Sequence, residues 1–179
     1  MTGPSSSLRA QIYVSKKGNA FMIELALLLR DGLRDAGVAT DIRQDGVPER
    51  RAGTLNFVVA PHEYFPLLGP DHHEAVLRAA RHCVLVLTEQ PDSIWFRLSL
   101  AYVPFAQAVF DINAAGVAKL AELGVEARLL RLGYHRSWDA WQGGATERPI
   151  DVVFMGSPTL RRHRQLAALG SRLQRLECR

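Results

Sequence analysis

An α/β fold built on a mostly parallel sheet, with helices on both faces, follows from three features of this sequence. Short, near-continuous apolar runs recur at LNFVVA (residues 55–60), CVLVL (Cys83–Leu87) and AVFD (Ala108–Asp111). Such runs fit strands whose two faces are both covered. Helical periodicity fills the intervals between them. Each run also ends abruptly in polar residues: His62 and Glu63 after the first, Thr88 and Glu89 after the second, Asp111 and Asn113 at the third. In one parallel sheet these three ends fall on one edge, the edge where open α/β sheets bind ligands.

The elements follow in order. Residues 1–7 form a small, polar tail. Residues 10–15 (AQIYVS) alternate into a first strand. Lys16, Lys17, Gly18 and Asn19 make a loop, and Asn19 caps a helix over residues 20–36. Its stripe is Met22, Leu25, Leu29 and Leu33, and Gly37 stops it. Residues 38–43 form a second strand, and a charged loop with Gly46 and Pro48 leads to the strand at residues 55–60. Pro61 ends that strand because it lacks a backbone donor, which leaves His62 and Glu63 on an extended segment.

A turn at residues 66–70 leads to a helix over residues 72–82, capped by Asp71. After CVLVL, Ser93 caps a helix that runs to Val103, before Pro104. After AVFD come a helix over residues 114–123, Gly124, and a strand over residues 126–132. Residues 134–149 change character, with Trp138, Trp141 and two glycines, and read as a linker whose aromatics dock on the preceding domain. A new strand is expected at residues 150–155, a helix at residues 160–169, and a last strand at residues 173–178.

Composition narrows the function classes. The chain has 179 residues, 47% of them hydrophobic, enough for a sizeable core. The formal net charge of +4 comes largely from arginines near the end: Arg161, Arg162, Arg164, Arg172, Arg175 and Arg179. No aromatic residue interleaves them, as a single-strand nucleic-acid platform requires, so they read as a solvated helix face and no nucleic-acid partner is expected. Cys83 and Cys178 suit neither a metal site nor a disulfide framework. His72, His73 and His163 lack metal spacing, so no metal is expected. No apolar stretch reaches membrane-spanning length and residues 1–9 hold no signal core, which gives a cytoplasmic location as the expectation.

Several groups can carry chemistry. His62 titrates near neutrality and is the first choice for a general base; Glu89 and Glu63 are the second choices. Adjacent residues on an extended segment point opposite ways, which sets Glu63 below His62. The loop of Lys17, Gly18 and Asn19 opens a helix, where backbone amides and the helix dipole favour an anion. It matches neither common phosphate-binding pattern, and Gly18 as a plain turn residue with Asn19 as a plain cap accounts for it more readily. Gly156, Ser157 and Arg161, in GSPTLRRHR, offer donors suited to a diphosphate.

Taken in order, KKGNAFMIELALLLRDGLRDAGV, APHEYF, TEQPDSIWF, VFDINAAGVAKLAELGV, LRLGYHRSWDAW and RPIDVVFMGSPTLRR resemble successive landmarks of bacterial glycosyltransferases of the two-domain GT-B type. The resemblance runs from about Ala10 to Arg164 and rests on order and spacing. It implies a Rossmann-like acceptor domain over residues 8–133, a linker over residues 134–149, and the start of a truncated donor domain over residues 150–179. It implies sugar transfer from a nucleotide-sugar donor to a small-molecule or glycan acceptor, with no resident cofactor. A chain ending at Arg179 is expected to lack most of the donor domain, and its unpaired strand edges call for a homo- or hetero-oligomeric partner that completes the fold. The alternatives are a non-catalytic Rossmann-like binding or partner module, and a nucleotide-binding domain that uses the Lys17 loop for phosphate.

Overall fold

A computed structural model describes residues 8–139 and 159–173, in two units that divide between Asp139 and Ala140. The first unit has the expected α/β, Rossmann-like architecture. Among the described residues its sheet is all-parallel and six-stranded: β1 (Arg9–Val14), β2 (Ala39–Gln44), β3 (Thr54–Val59), β4 (Cys83–Leu87), β5 (Ala108–Asp111) and β6 (Arg128–Leu129), in the order β2-β1-β3-β4-β5-β6. The helices that accompany it are α1 (Ala20–Asp35), α2 (Pro61–Leu67), α3 (His73–Ala80), α4 (Ile94–Ser99) and α5 (Ala114–Glu122).

Alternation along the strands sorts the core into two layers. Ile12, Val14, Val59 and Val86 face α1, where Met22, Leu25 and Ala26 meet them. Tyr13, Val58, Cys83, Leu85, Leu87 and Val109 face the other way, against Tyr64 and Phe65 of α2, Val76 and Ala80 of α3, Phe96 of α4 and Leu120 of α5. All five residues of β4 are buried, as its uninterrupted apolar sequence predicts. Each large aliphatic side chain buried this way contributes about 1.5–3 kcal/mol. Cys83 is a free, buried thiol, pushed up to about 12 by burial, which suits a small core residue.

The chain crosses β1 between β2 and β3 without a helix. Residues 45–53 make the passage, fixed by Asn56 Nδ2 donating to the Glu49 carbonyl (2.8 Å) and by the Tyr64 hydroxyl donating to the Gly46 carbonyl. From β1 the chain therefore turns first to one side and then to the other. The carboxyl ends of β1 and β3, side by side, form the switch point at which such sheets open a crevice.

Four expectations are corrected. The segment after β3 is a helix, not an extended turn: Pro61 occupies the first helical turn, where its missing N–H costs nothing. Asp71 does not cap a helix; a 3₁₀ turn, Pro70–His72, precedes α3. The Ser93 cap is real, its hydroxyl accepting from Phe96 N, but α4 stops at Ser99, and Pro104 lies in a separate 3₁₀ turn. The last strand of the sheet shrinks to Arg128–Leu129, paired with β5 alone.

Asn19 caps α1 through Phe21 N, and Gly37, at φ +80°, follows the helix as expected. Beyond β6, the segment to Asp139 is held by polar groups more than by aromatic docking. Ser137 Oγ donates to Asp31 (2.6 Å) and His135 Nε2 lies 3.1 Å from Asp35, while Tyr134 is 75% exposed. Arg30 and then Ser137, bonding to Asp31, hold its carboxyl down at about 2. Trp141, the expected strand at residues 150–155, and residues 174–178 of the expected last strand lie outside the described residues. The second unit contains α6 (Leu160–Leu173), longer than expected, whose Arg162 N donates to Thr159 Oγ1 (3.3 Å).

Candidate functional site

A cleft of about 650 Å³ opens at the switch point. Lys17, Gly18, Asn19 and Met22 line it from the β1–α1 side, His62, Glu63, Pro66 and Leu67 from α2, and Glu89 and Trp95 from the segment after β4. Six of the residues that sequence alone singled out, drawn from three separate stretches of chain, thus meet in one cavity.

The backbone at its base is strained. Ala60 adopts φ +53° and ψ +65°, the left-handed region that a non-glycine residue enters at a cost of about 1–2 kcal/mol. That turn bends the chain directly from β3 into α2. Because residues 62 and 63 then lie on a helix, neighbouring side chains are about 100° apart rather than opposed. Glu63 consequently faces the same cleft as His62, which corrects the lower place the extended reading gave it.

His62 is 6% exposed and has a polar neighbour at each ring nitrogen. Its Nδ1 is 3.3 Å from Ser99 Oγ, and its Nε2 is 3.5 Å from Glu89 Oε1. Ser99 Oγ also lies within donating distance of the Trp95 carbonyl (3.3 Å), so a hydroxyl committed there accepts from Nδ1–H and leaves the Nε2 lone pair facing Glu89 and the cleft. Burial pushes His62 below the ordinary histidine value, and it raises Glu89, helped by the nearby Glu63. Both shifts disfavour a charged His62–Glu89 pair. At neutral pH His62 is an uncharged base beside a carboxyl group, able to take a proton that Glu89 then stabilises.

The Lys17 loop is committed internally. Lys16 N donates to Asp45 Oδ1 (3.4 Å), Lys17 N to Ser15 Oγ (3.1 Å), and Asn19 N to Glu63 Oε1 (3.0 Å). The carboxylate of Glu63 sits where an anion at the start of α1 would sit. Gly18 permits this, since a Cβ there would lie 1.8 Å from Glu63 Oε1.

At the neighbouring strand end Asp111 is completely buried. Its Oδ1 accepts from Asn113 N (2.7 Å), while Oδ2 has no partner among the described residues and would lie 2.1 Å from a Cβ on Gly116. Asp111 therefore supports the start of α5 and is walled off from the cleft. Asn113 ties this end to the cleft: its Nδ2 reaches the carbonyls of Thr88 (3.3 Å) and Glu89 (3.2 Å), and its Oδ1 accepts from Gln90 Nε2 (3.0 Å).

Of the remaining candidates, Gly156 and Ser157 lie outside the described residues, and Arg161 is an exposed residue of α6 in the second unit. Sequence reasoning missed Ser99 and Trp95. Their separation of four residues after the Ser93 cap was the available signal, since it stacks them on one face of a short helix. The indole of Trp95, 51% exposed, has its ring centre 6.0 Å from that of His62 at the mouth of the cleft. Among the described residues no group of His, Cys, Asp and Glu is arranged to hold a metal ion, and no helix is long and apolar enough to cross a membrane. No family model, curated protein or solved structure matches this chain.

Proposed function

We propose that the first unit is the acceptor-binding, base-supplying part of a GT-B-type glycosyltransferase. The observation that carries this reading is a buried His62, its Nε2 3.5 Å from Glu89 Oε1, in a cleft at the switch point of a parallel sheet, with burial holding its pKa below the ordinary histidine value. An acceptor hydroxyl gives its proton to His62 Nε2, and Glu89 stabilises the imidazolium. The hydroxyl oxygen bonds to the anomeric carbon of a nucleotide sugar as the bond to the nucleoside diphosphate breaks. Trp95 supplies a flat apolar face for the acceptor, and the cleft volume suits a small glycan or similar molecule. Gly156, Ser157 and Arg161 are assigned to the donor diphosphate on the donors their sequence offers and on the resemblance.

The test is release of nucleoside diphosphate from a panel of nucleotide sugars, with thermal-shift titration alongside. Turnover that disappears in His62→Gln while the fold persists supports the reading; full turnover in that variant removes His62 from it.

A non-catalytic partner module is the second reading, favoured by one observation. Beside α1 lies an apolar groove of about 280 Å³, lined by Leu25, Leu28, Leu29, Leu33, Ile112 and Leu130. A stable hetero-oligomer with no response to any nucleotide sugar favours that reading.

A further inference from the structure

The geometry points to Glu63 as the residue that sets the acceptor class: it closes the amino terminus of α1 to anions, so the cleft takes an uncharged, hydroxyl-rich ligand and rejects phosphorylated ones. This rests on the reading of the cleft as an acceptor site, but its first readout is binding, not transfer.

Three observations converge. A helix start with a glycine before it ordinarily welcomes a phosphate, through free amides and the helix dipole. Here Asn19 N is already bonded to Glu63 Oε1, and the amides of Lys16 and Lys17 are bonded to Asp45 and Ser15. Gly18 is shaped to that carboxylate, leaving no room for a Cβ between them. The wall opposite adds the carboxyl group of Glu89. A phosphoryl group entering the cleft meets the Glu63 carboxylate in place of free donors, and like charges at short range reject a ligand strongly. Among the described residues, Lys17 at the rim is the one lysine or arginine lining the cavity. A neutral polyol meets the same surroundings favourably. Its hydroxyls donate to carboxylate oxygens, and its C–H face packs on Trp95.

The test is an NMR titration of the full chain with sodium pyrophosphate at fixed ionic strength, read at the backbone amides of Lys17, Gly18 and Asn19, so that binding at the residues assigned to the donor diphosphate does not register. The unmodified chain is expected to show no shift at these amides. Glu63→Ala, which frees Asn19 N–H, is expected to gain affinity by about tenfold or more. Pyrophosphate binding at these amides in the unmodified chain as tight as in Glu63→Ala overturns the inference, provided thermal melts show both folded. A second measurement pairs a neutral sugar with its phosphate ester as competing acceptors. A preference for the neutral sugar that narrows in Glu63→Ala supports the inference, and a preference for the ester in the unmodified chain overturns it. If no transfer occurs with any donor, the proposed enzyme reading fails while the titration still decides the role of Glu63.

Discussion

Two ends of the same sheet edge set a carboxylate against the start of a helix, and both use a glycine to make room. At the cleft, Glu63 reaches the start of α1 over Gly18. At the end of β5, Asp111 reaches the start of α5 under Gly116. The chemistry is alike and the surroundings differ. Asp111 rises from the strand beneath its own helix and is sealed from solvent, so it serves the fold. Glu63 comes from another element, α2, and stands in the wall of an open cavity beside His62 and Glu89. A burial-raised acid is therefore not a sign of a site by itself. Glu89 and Asp111 are both raised, and only Glu89 has space beside it.

The largest effect that tests this contrast is chemical. His62→Gln keeps a polar group near Ser99 and removes the base. Turnover should fall about 10²–10⁴-fold, the usual worth of general base catalysis, equivalent to about 3–5 kcal/mol of barrier. Initial rates with the best donor and acceptor pair check it, and an unchanged rate assigns the cleft another role.

Next is a matched pair of glycine substitutions. Gly116→Ala drives a Cβ into a carboxylate that has nowhere to move, and should cost about 1–3 kcal/mol in a denaturant titration. Gly18→Ala makes an even shorter approach, to Glu63 Oε1. Glu63 borders open space and can swing aside, so the loss should stay below about 1 kcal/mol, about the net worth of one hydrogen bond. Equal losses at the two positions would erase the distinction between sealed and open ends.

Asn113 links the ends and should separate their effects. Its backbone N–H holds Asp111 and its side chain holds the segment carrying Glu89. Asn113→Ala keeps the first bond and loses the second, so stability should fall by about 1 kcal/mol. Turnover should fall more than that loss explains, because Glu89 is released from its position against His62. A KM and kcat comparison together with a melt checks both.

How much of this was legible in the sequence depended on what each residue could signal alone. The strands β4 and β5 and the cap of α1 were readable to the residue, because an unbroken apolar run and an Asn before a periodic stripe have few other interpretations. The convergence of polar strand ends followed from parallel topology. The helix α2 was not readable: proline both ends strands and begins helices, and the turn that decides between them is a left-handed Ala60 that no sequence rule anticipates. Losing α2 misdirected Glu63. Ser99 was hidden for a related reason, since its role depends on α4 packing beside α2, a contact between elements well apart in the chain.

The smallest effect is a pH dependence of stability. Burial raises Asp111 above its ordinary value, outweighing the bonds from Asn113 that lower it. Between the unfolded value, about 4, and the higher folded one, the unfolded chain has lost this proton while the folded chain retains it. The group's contribution is thus fully present below about pH 4 and declines as pH rises through the folded value, the reverse of a salt-bridged carboxylate. Glu89 carries the same sign. His62, pushed down, works oppositely: below about 6.5 the unfolded chain takes up a proton that the folded one refuses, so stability falls on acidification there. Comparing the unmodified protein with Asp111→Asn isolates the first contribution. Any fixed cost of the substitution is common to all pH values, so the difference should shift in favour of the variant as pH rises from about 3.5 to 7. A shift towards the unmodified protein would mean that Asp111 is stabilised as the anion by the start of α5, and that the sealed end is an electrostatic cap like the one Glu63 provides at the cleft.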